Sequence, residues 1–202
     1  MTKNFSKLLK GYHKFRDKYV HGSKSVMKQL ADDGQKPEIM IVACCDSRVD
    51  PALILQCEPG DLFVVRNVAN IIPPYEKAKG YHGVSAALEF GIRILQVKHL
   101  ILLGHSQCGG IQALLHGDDK NSDFLHNWLE TIDVDLSEVK NTNQAVKLAL
   151  QKSQEHCMQF PWIAKKVEDR ALEIHLWFFD IFKGKLSEYD PARKQYRVLQ
   201  DH

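Results

Sequence analysis

Ile39-Met40-Ile41-Val42-Ala43-Cys44-Cys45-Asp46-Ser47-Arg48 is the stretch on which the fold turns. Ile39 to Ala43 is apolar at every position, as a strand covered on both faces of a parallel sheet must be. Two thiols, an acid and a base follow at once, an ending that a core strand does not need. A second stretch repeats the design: Leu100-Ile101-Leu102-Leu103-Gly104-His105-Ser106-Gln107-Cys108-Gly109-Gly110. There the apolar run ends in a histidine and a cysteine. Set side by side, the two strand ends could hold a metal between them.

Working outward, Asp50-Pro51-Ala52 reads as a helix start, with Asp50 as cap and Pro51 at the first helical position. Glu58-Pro59-Gly60-Asp61 reads as a type II turn. A strand over 62–65 follows it. Val84, Ala87, Leu88, Gly91, Ile92 and Leu95 form one stripe of a helix over 84–95. A strand over 99–103 comes next, and Gly109-Gly110 opens a helix to about His116. This strand–helix–strand rhythm predicts an α/β fold with a parallel core sheet, flanking helices and right-handed crossovers. Ligands of such sheets gather at the carboxyl ends of the strands, where both polar clusters sit.

Phe5, Leu8, Leu9, Tyr12, Phe15 and Tyr19 lie on one face of a helix over 4–19. A second helix is expected over Ser23 to Asp32, with Val26, Met27 and Leu30 inward and Gly34 closing it. This arm either packs on its own body or crosses to a partner subunit. Residues 118–170 read as mostly helical, with Phe124, Trp128 and Leu129 in one segment, Val139, Val146 and Leu150 in another, and an interruption at Pro161. Leu172 to Ile181 reads as a long strand. Lys183-Gly184-Lys185 turns it into an antiparallel edge strand, Leu186 to Tyr189. One domain over 1–202 is expected: an N-terminal helical arm (1–34), a metal-site core (35–117), and helices with C-terminal strands (118–202).

The chain has 202 residues, 44% hydrophobic and 26% charged, which suits one globular domain with a sizeable core. A net charge of +2 gives no argument for nucleic acid or an anionic membrane. No apolar run approaches the roughly 20 residues that span a bilayer. Met1 to Ser6 lacks the apolar segment of a secretion signal, so a cytoplasmic protein is expected. The five cysteines are odd in number and irregularly spaced, a poor fit to a disulfide framework.

His105 and Cys108, at i and i+3, can be aimed at one point by a turn leaving a strand. Thiolate and imidazole donors suit tetrahedral zinc, and a catalytic zinc takes three protein ligands. The third comes from Cys44 or Cys45, and strand alternation does not choose between them. Asp46 and Arg48 alternate with Cys44. A bidentate pair between them would keep Asp46 ionised and able only to accept hydrogen bonds.

Cys44-x-Asp46-Ser47-Arg48 with Gly104-His105-Ser106-x-Cys108-Gly109-Gly110 resembles the β-class carbonic anhydrases. Glu58-Pro59-Gly60-Asp61 and Arg66-Asn67-Val68-Ala69-Asn70 resemble that family too. The similarity runs from about Gln35 to Leu115 and returns faintly at Trp177-Phe178-Phe179-Asp180. It implies that Cys44, His105 and Cys108 bind one zinc per chain and that Cys45 does not. It implies that Asp46 and Arg48 form a catalytic dyad orienting a zinc-bound hydroxide, which hydrates carbon dioxide reversibly to bicarbonate and a proton.

Some members of that family close their site at low pH, with bicarbonate bound nearby by a Trp, an Arg and a Tyr. Arg66 matches that Arg, but Ile41 and Phe179 stand where the Trp and the Tyr would be. The resemblance therefore implies the open type. Gln35 matches a glutamine that reaches a partner's site and bonds substrate, so a homodimer, or a tetramer built from dimers, is expected. Phe63 and Val68 match apolar pocket positions, some of them facing a neighbouring subunit. Phe90 replaces a tyrosine common there, and Gly109 lies against the substrate. His82 is a candidate for the outgoing proton, with surface placement the commoner fate of such a histidine. A hydrolase of carbon disulfide or another linear molecule would share every motif. A purely structural zinc would need a fourth ligand, and a thiol sensor built on Cys44 and Cys45 would leave His105, Asp46 and Arg48 unexplained.

Overall fold

The structure is a computed structural model and describes residues 3–22, 25–77, 80, 82–117 and 122–199. Ser23, the start expected for the second helix, and Asp118, the start expected for the helical region, lie outside these residues. The described chain runs α1 (Lys3–Tyr19), α2 (Val26–Asp33), β1 (Ile39–Cys44), α3 (Pro51–Ile54), β2 (Leu62–Asn67) and α4 (Gly83–Glu89). β3 (His99–His105), α5 (Gly109–His116), α6 (Leu125–Glu130), α7 (Thr142–Gln159) and α8 (Pro161–Glu168) follow, and β4 (Glu173–Asp180), β5 (Lys185–Asp190) and β6 (Gln195–Val198) complete it.

The strands form one six-stranded sheet in the order β2-β1-β3-β4-β5-β6. β2, β1, β3 and β4 are parallel, while β5 and β6 are antiparallel additions at one edge. The C-terminal return is thus a hairpin of two strands, and the edge is β6, not β5. Alternation along β1 feeds two cores. Met40, Val42 and Cys44 join the larger cluster, with Leu100, Leu102, Leu150 and Phe178. Ile41 and Ala43 join the smaller one on the other face, with Ile101 and Leu103. Met40 to Ala43 are wholly buried, and each large side chain among them contributes about 1.5–3 kcal/mol. This continuous burial explains why β1 is apolar throughout.

Local signals act as the residue types dictate. The Asp50 side chain accepts from the Leu53 amide and caps α3, which has Pro51 at its start. Asp61 N–H donates to the Glu58 carbonyl at 3.2 Å, and Gly60 adopts φ +99°, the value a type II turn asks of its third residue. Ser25 caps α2 by accepting from Lys28 N–H. Pro161 does more than interrupt, since it sits at the first position of α8, after Phe160 has ended α7.

The helix expected over 84–95 is α4 followed by a π-helical turn over Phe90–Ile94. The apolar stripe runs unbroken through the change of hydrogen bonding, which is why periodicity does not mark it. α2 buries none of its residues completely: Met27 and Leu30 are half-buried, and Val26 is exposed. Phe124 is likewise exposed, just before α6. Val139 precedes α7, whose cap is Asn141. The stripe of α1 is uncovered within the chain, with Phe5, Leu8, Leu9, Tyr12 and Phe15 all exposed.

Candidate metal centre

The register of the parallel strands brings the two polar endings together. β1 pairs with β3 from Ile39↔His99 to Ala43↔Leu103, so Cys44 and His105 leave neighbouring strands at the same end. After His105 the chain turns through Gln107, which holds a left-handed φ of +55°. This turn puts Cys108 at the cap of α5 and faces it back toward β1. The ligand atoms of Cys44, His105 and Cys108 all lie within 4.8 Å of one another, and all three residues are buried. Cys44 Sγ and Cys108 Sγ are 3.9 Å apart. Two thiolates on one tetrahedral zinc would be separated by about 3.8 Å, given a Zn–S bond of about 2.3 Å.

His105 is the strongest sign that this group holds a cation. Its Nδ1–H donates to the Ser106 carbonyl at 2.9 Å, which leaves the lone pair on Nε2. Nε2 is buried without a partner among the described residues. A polar atom so placed costs free energy unless something binds it. The thiols tell the same story. The two sulfurs share a proton, which draws the Cys44 pKa down, helped by the amides of Asp46 and Ala69. Cys108 is pushed up as the partner that keeps the proton, and by burial, against the amides of Gly110 and Ile111. One proton shared by two buried sulfurs is what a divalent cation displaces. The residues present therefore fit zinc.

Around this group the β1 ending is tied down. Arg48 Nε donates to Asp46 Oδ1 at 2.9 Å and Nη2 to Oδ2 at 2.6 Å, the bidentate pair expected of these residues. The Arg48 amide adds a third bond to Oδ1. The Arg48 side chain, and then its amide, hold the Asp46 carboxyl well below the usual carboxylate range. Arg48 also donates to the Gln107 carbonyl at 3.2 Å, joining the β1 ending to the β3 ending. Arg66 clamps the same loop, donating to the carbonyls of Cys44 and Asp46 and to the Asp50 carboxylate. Cys45 is exposed and apart from the sulfur pair.

Gln107, Ala69 and Asp50 are site residues that motif reading does not single out for these roles. Nothing in a glutamine advertises a left-handed backbone, and Asp50 reads only as a helix cap. Gly110 has a definite packing role. A Cβ there would meet Val68 Cγ1 at 2.9 Å and Ala69 Cβ at 3.0 Å, so α5 can approach the 68–70 turn only with glycine. Gly109 has no atom within 4 Å of such a Cβ and faces open space.

The expected pocket residues divide. Val68 and Gly109 flank the centre of their own chain, Val68 against Gly110 and Gly109 beside Cys108. Phe63 pairs in register with Met40, four positions before Cys44 meets Asn67, which sets it roughly 13 Å along the sheet. Its ring stacks on Phe90, with centroids 5.8 Å apart. Gln35 is exposed in the segment that enters β1 from its amino end. Phe63, Phe90 and Gln35 are thus not gathered around their own chain's centre. His82 caps α4 and lines a cleft with Pro73, Val84 and Trp128, to which none of the centre's ligands contributes among the described residues.

A family model described as carbonic anhydrase matches residues 39–186. Beta carbonic anhydrase 5 of Arabidopsis thaliana, a chloroplastic protein, is 37% identical over 183 residues, which are 83% of this chain and 57% of that protein. A carbonic anhydrase of Synechocystis is 34% identical over 91% of this chain and 70% of its own length. The solved β-carbonic anhydrase CcaA superposes with a TM-score of 0.87 at 31% identity, covering 98% of this chain and 100% of its own. A tetrameric β-carbonic anhydrase of Sordaria macrospora superposes with a TM-score of 0.77, also at 31% identity, over 93% of this chain and 97% of its own. By the family model over residues 39–186 and by these relatives, the chain belongs to the β-carbonic anhydrase family.

Proposed function

We propose that the protein is a zinc enzyme that interconverts carbon dioxide and bicarbonate. The observation that carries this reading is the unpartnered, buried His105 Nε2, converging with two thiols beside a carboxylate that Arg48 keeps ionised. Cys44, His105 and Cys108 hold the metal. When bound, zinc supplies the Lewis acidity that brings the pKa of water from about 16 toward 7.

The chain's own residues do the rest. Asp46 Oδ1 accepts twice from Arg48 and Oδ2 once, which leaves a lone pair on Oδ2 to accept a hydrogen bond from the attacking water. Because it cannot donate, it fixes which way that oxygen's remaining electrons point. Arg48, itself anchored on the Gln107 carbonyl, keeps the carboxylate from turning away. Carbon dioxide has no dipole, so an apolar wall of Val68, Phe63 and Phe90 holds it and excludes competing water.

Phe63, Phe90 and Gln35 face the centre of a partner subunit in this reading, which is why their own chain leaves them away from its centre. Gln35 donates its amide to an oxygen of bicarbonate there. A homodimer is the working unit, its interface drawing on the exposed stripe of α1, and dimers pair as in the tetrameric relatives. The site is the open type. Ile41 and Phe179 belong to one apolar cluster. Arg66 spends its N–H groups on two carbonyls and Asp50. Neither arrangement leaves a polar cradle for a second bicarbonate, so activity persists near pH 7 without sigmoidal inhibition by bicarbonate.

Stopped-flow hydration with a pH indicator tests the reading on zinc-loaded protein. Carbon dioxide hydration well above the buffer rate is expected, with no turnover of carbon disulfide. A rate equal to buffer alone overturns it.

A further inference from the structure

The amino ends of the same strands carry a second convergence of ligand groups that the reaction does not use. The geometry points to a second divalent-cation site, suited to zinc, formed by His99, Glu173 and His175 at the end of the sheet opposite Cys44 and His105. His99 opens β3 and pairs in register with Glu173, which opens β4, and His175 stands two residues further along β4. The period of two places all three side chains on one face of the sheet. Their ligand atoms lie within 4.8 Å of one another.

The distances suit one metal. His99 Nδ1 and His175 Nε2 are 3.1 Å apart. Glu173 Oε2 stands 3.7 Å from the first and 3.8 Å from the second. Three donors on a tetrahedral zinc with bonds of about 2.05 Å would form a triangle with edges of about 3.3 Å. Small side-chain rotations close that difference.

A fourth residue sets up the protonation that binding needs. Glu188, on β5, accepts a hydrogen bond from His175 Nδ1 at 2.7 Å. The Nδ1 proton leaves the His175 lone pair on Nε2, facing the other donors. A carboxylate behind a metal-binding histidine fixes tautomer and ring direction in this way. Without metal, His99 Nδ1–H must be the donor across the 3.1 Å contact, since His175 Nε2 can only accept. On binding, His99 moves that proton to its own Nε2 through solvent, and the cation takes its place between the rings. Imidazole and carboxylate ligands without sulfur favour zinc, nickel or cobalt over hard cations.

The surroundings are mixed in charge. Lys98, Lys166 and Arg170 border Glu173, though Lys98 is ion-paired with Glu38. His99 and Glu173 are substantially exposed, and His175 is 23% exposed. Binding is therefore weaker than at the buried thiolate centre and leaves room for water on the metal.

Cobalt(II) titration separates this proposal from the reading of the catalytic centre. Protein already holding one zinc per chain is titrated with cobalt(II) and followed by absorption and equilibrium dialysis. One further equivalent is expected, with d–d bands in the visible and no thiolate-to-cobalt charge transfer. His175→Ala and His99→Asn should each abolish it. Glu188→Gln should weaken it about 10- to 100-fold. Carbon dioxide hydration by these variants reports separately on the catalytic reading. No further equivalent in wild type overturns the proposal. So does an equivalent retained by both histidine variants, or a near-ultraviolet charge-transfer band that appears with no zinc released, which would put the ion on Cys45 or Cys57.

Discussion

His99 and His105 stand on the same strand, six positions apart, and the comparison between them shows what makes a metal centre strong. His105 ends β3 in full burial, and its inward nitrogen has no partner. His99 begins β3 half in solvent, and its inward nitrogen already bonds His175. At the carboxyl end the buried nitrogen has no proton to meet it, so a cation offsets the cost in full. At the amino end a proton already does part of that work, and a cation must displace it. Burial and an unmet donor set, more than the mere presence of histidine, separate the two.

The largest effect should come from removing a sulfur at the buried end. Cys108→Ser is expected to lose stoichiometric zinc and drop hydration to the buffer rate, because oxygen of a neutral hydroxyl replaces a thiolate ligand. Metal analysis after dialysis checks this. Retention of a full zinc equivalent would mean that burial, and not the thiolate pair, sets the affinity. Asp46→Asn comes next. The amide keeps the shape but can present an N–H where an acceptor is needed, so turnover should fall about 10²-fold or more with zinc retained. Wild-type turnover in this variant would remove Asp46 from the mechanism. Arg66→Ala tests the scaffold alone. It strands the carbonyls of Cys44 and Asp46, at a cost of about 1–3 kcal/mol. Urea unfolding measures it, and an unchanged midpoint would show that the β1 ending holds without its clamp.

How much of this is legible in the sequence depends on how local each signal is. The endings of β1 and β3 were legible because an apolar run and its polar stop are contiguous in the chain. Asp46 and Arg48 were legible as a pair for the same reason, being two residues apart. β6 was not, since Gln195-Tyr196-Arg197-Val198 is an edge strand of which only Tyr196 is half-buried. The inward placement of Val26 failed because α2 rests on the surface, where one apolar residue more or less costs little. The separation of Phe63 from its own centre follows from the pairing Met40↔Phe63, a fact of register that no window of sequence contains. His99 and His175 read only as strand residues, because the β3–β4 register joins positions 76 apart in the chain.

The smallest effect is the one that bears most directly on the two ends. His175→Ala should leave hydration within about twofold of wild type. His175 pairs with Ile101, four positions before His105, so it lies roughly 13 Å away along the sheet, at 3.3 Å per residue. Charge effects over that distance are largely screened, the Debye length at physiological salt being about 8 Å. Packing could still carry an effect, since His175 and Trp177 share a face and their rings sit 6.5 Å apart, edge to face. Trp177 in turn packs in the cluster of Ile41, Leu103 and Phe179. A rate loss above about tenfold, with zinc still bound at the sulfur centre, would show that this cluster transmits strain from one end of the sheet to the other. The two histidine sites would then be coupled, and their contrast in burial would no longer account for their contrast in strength.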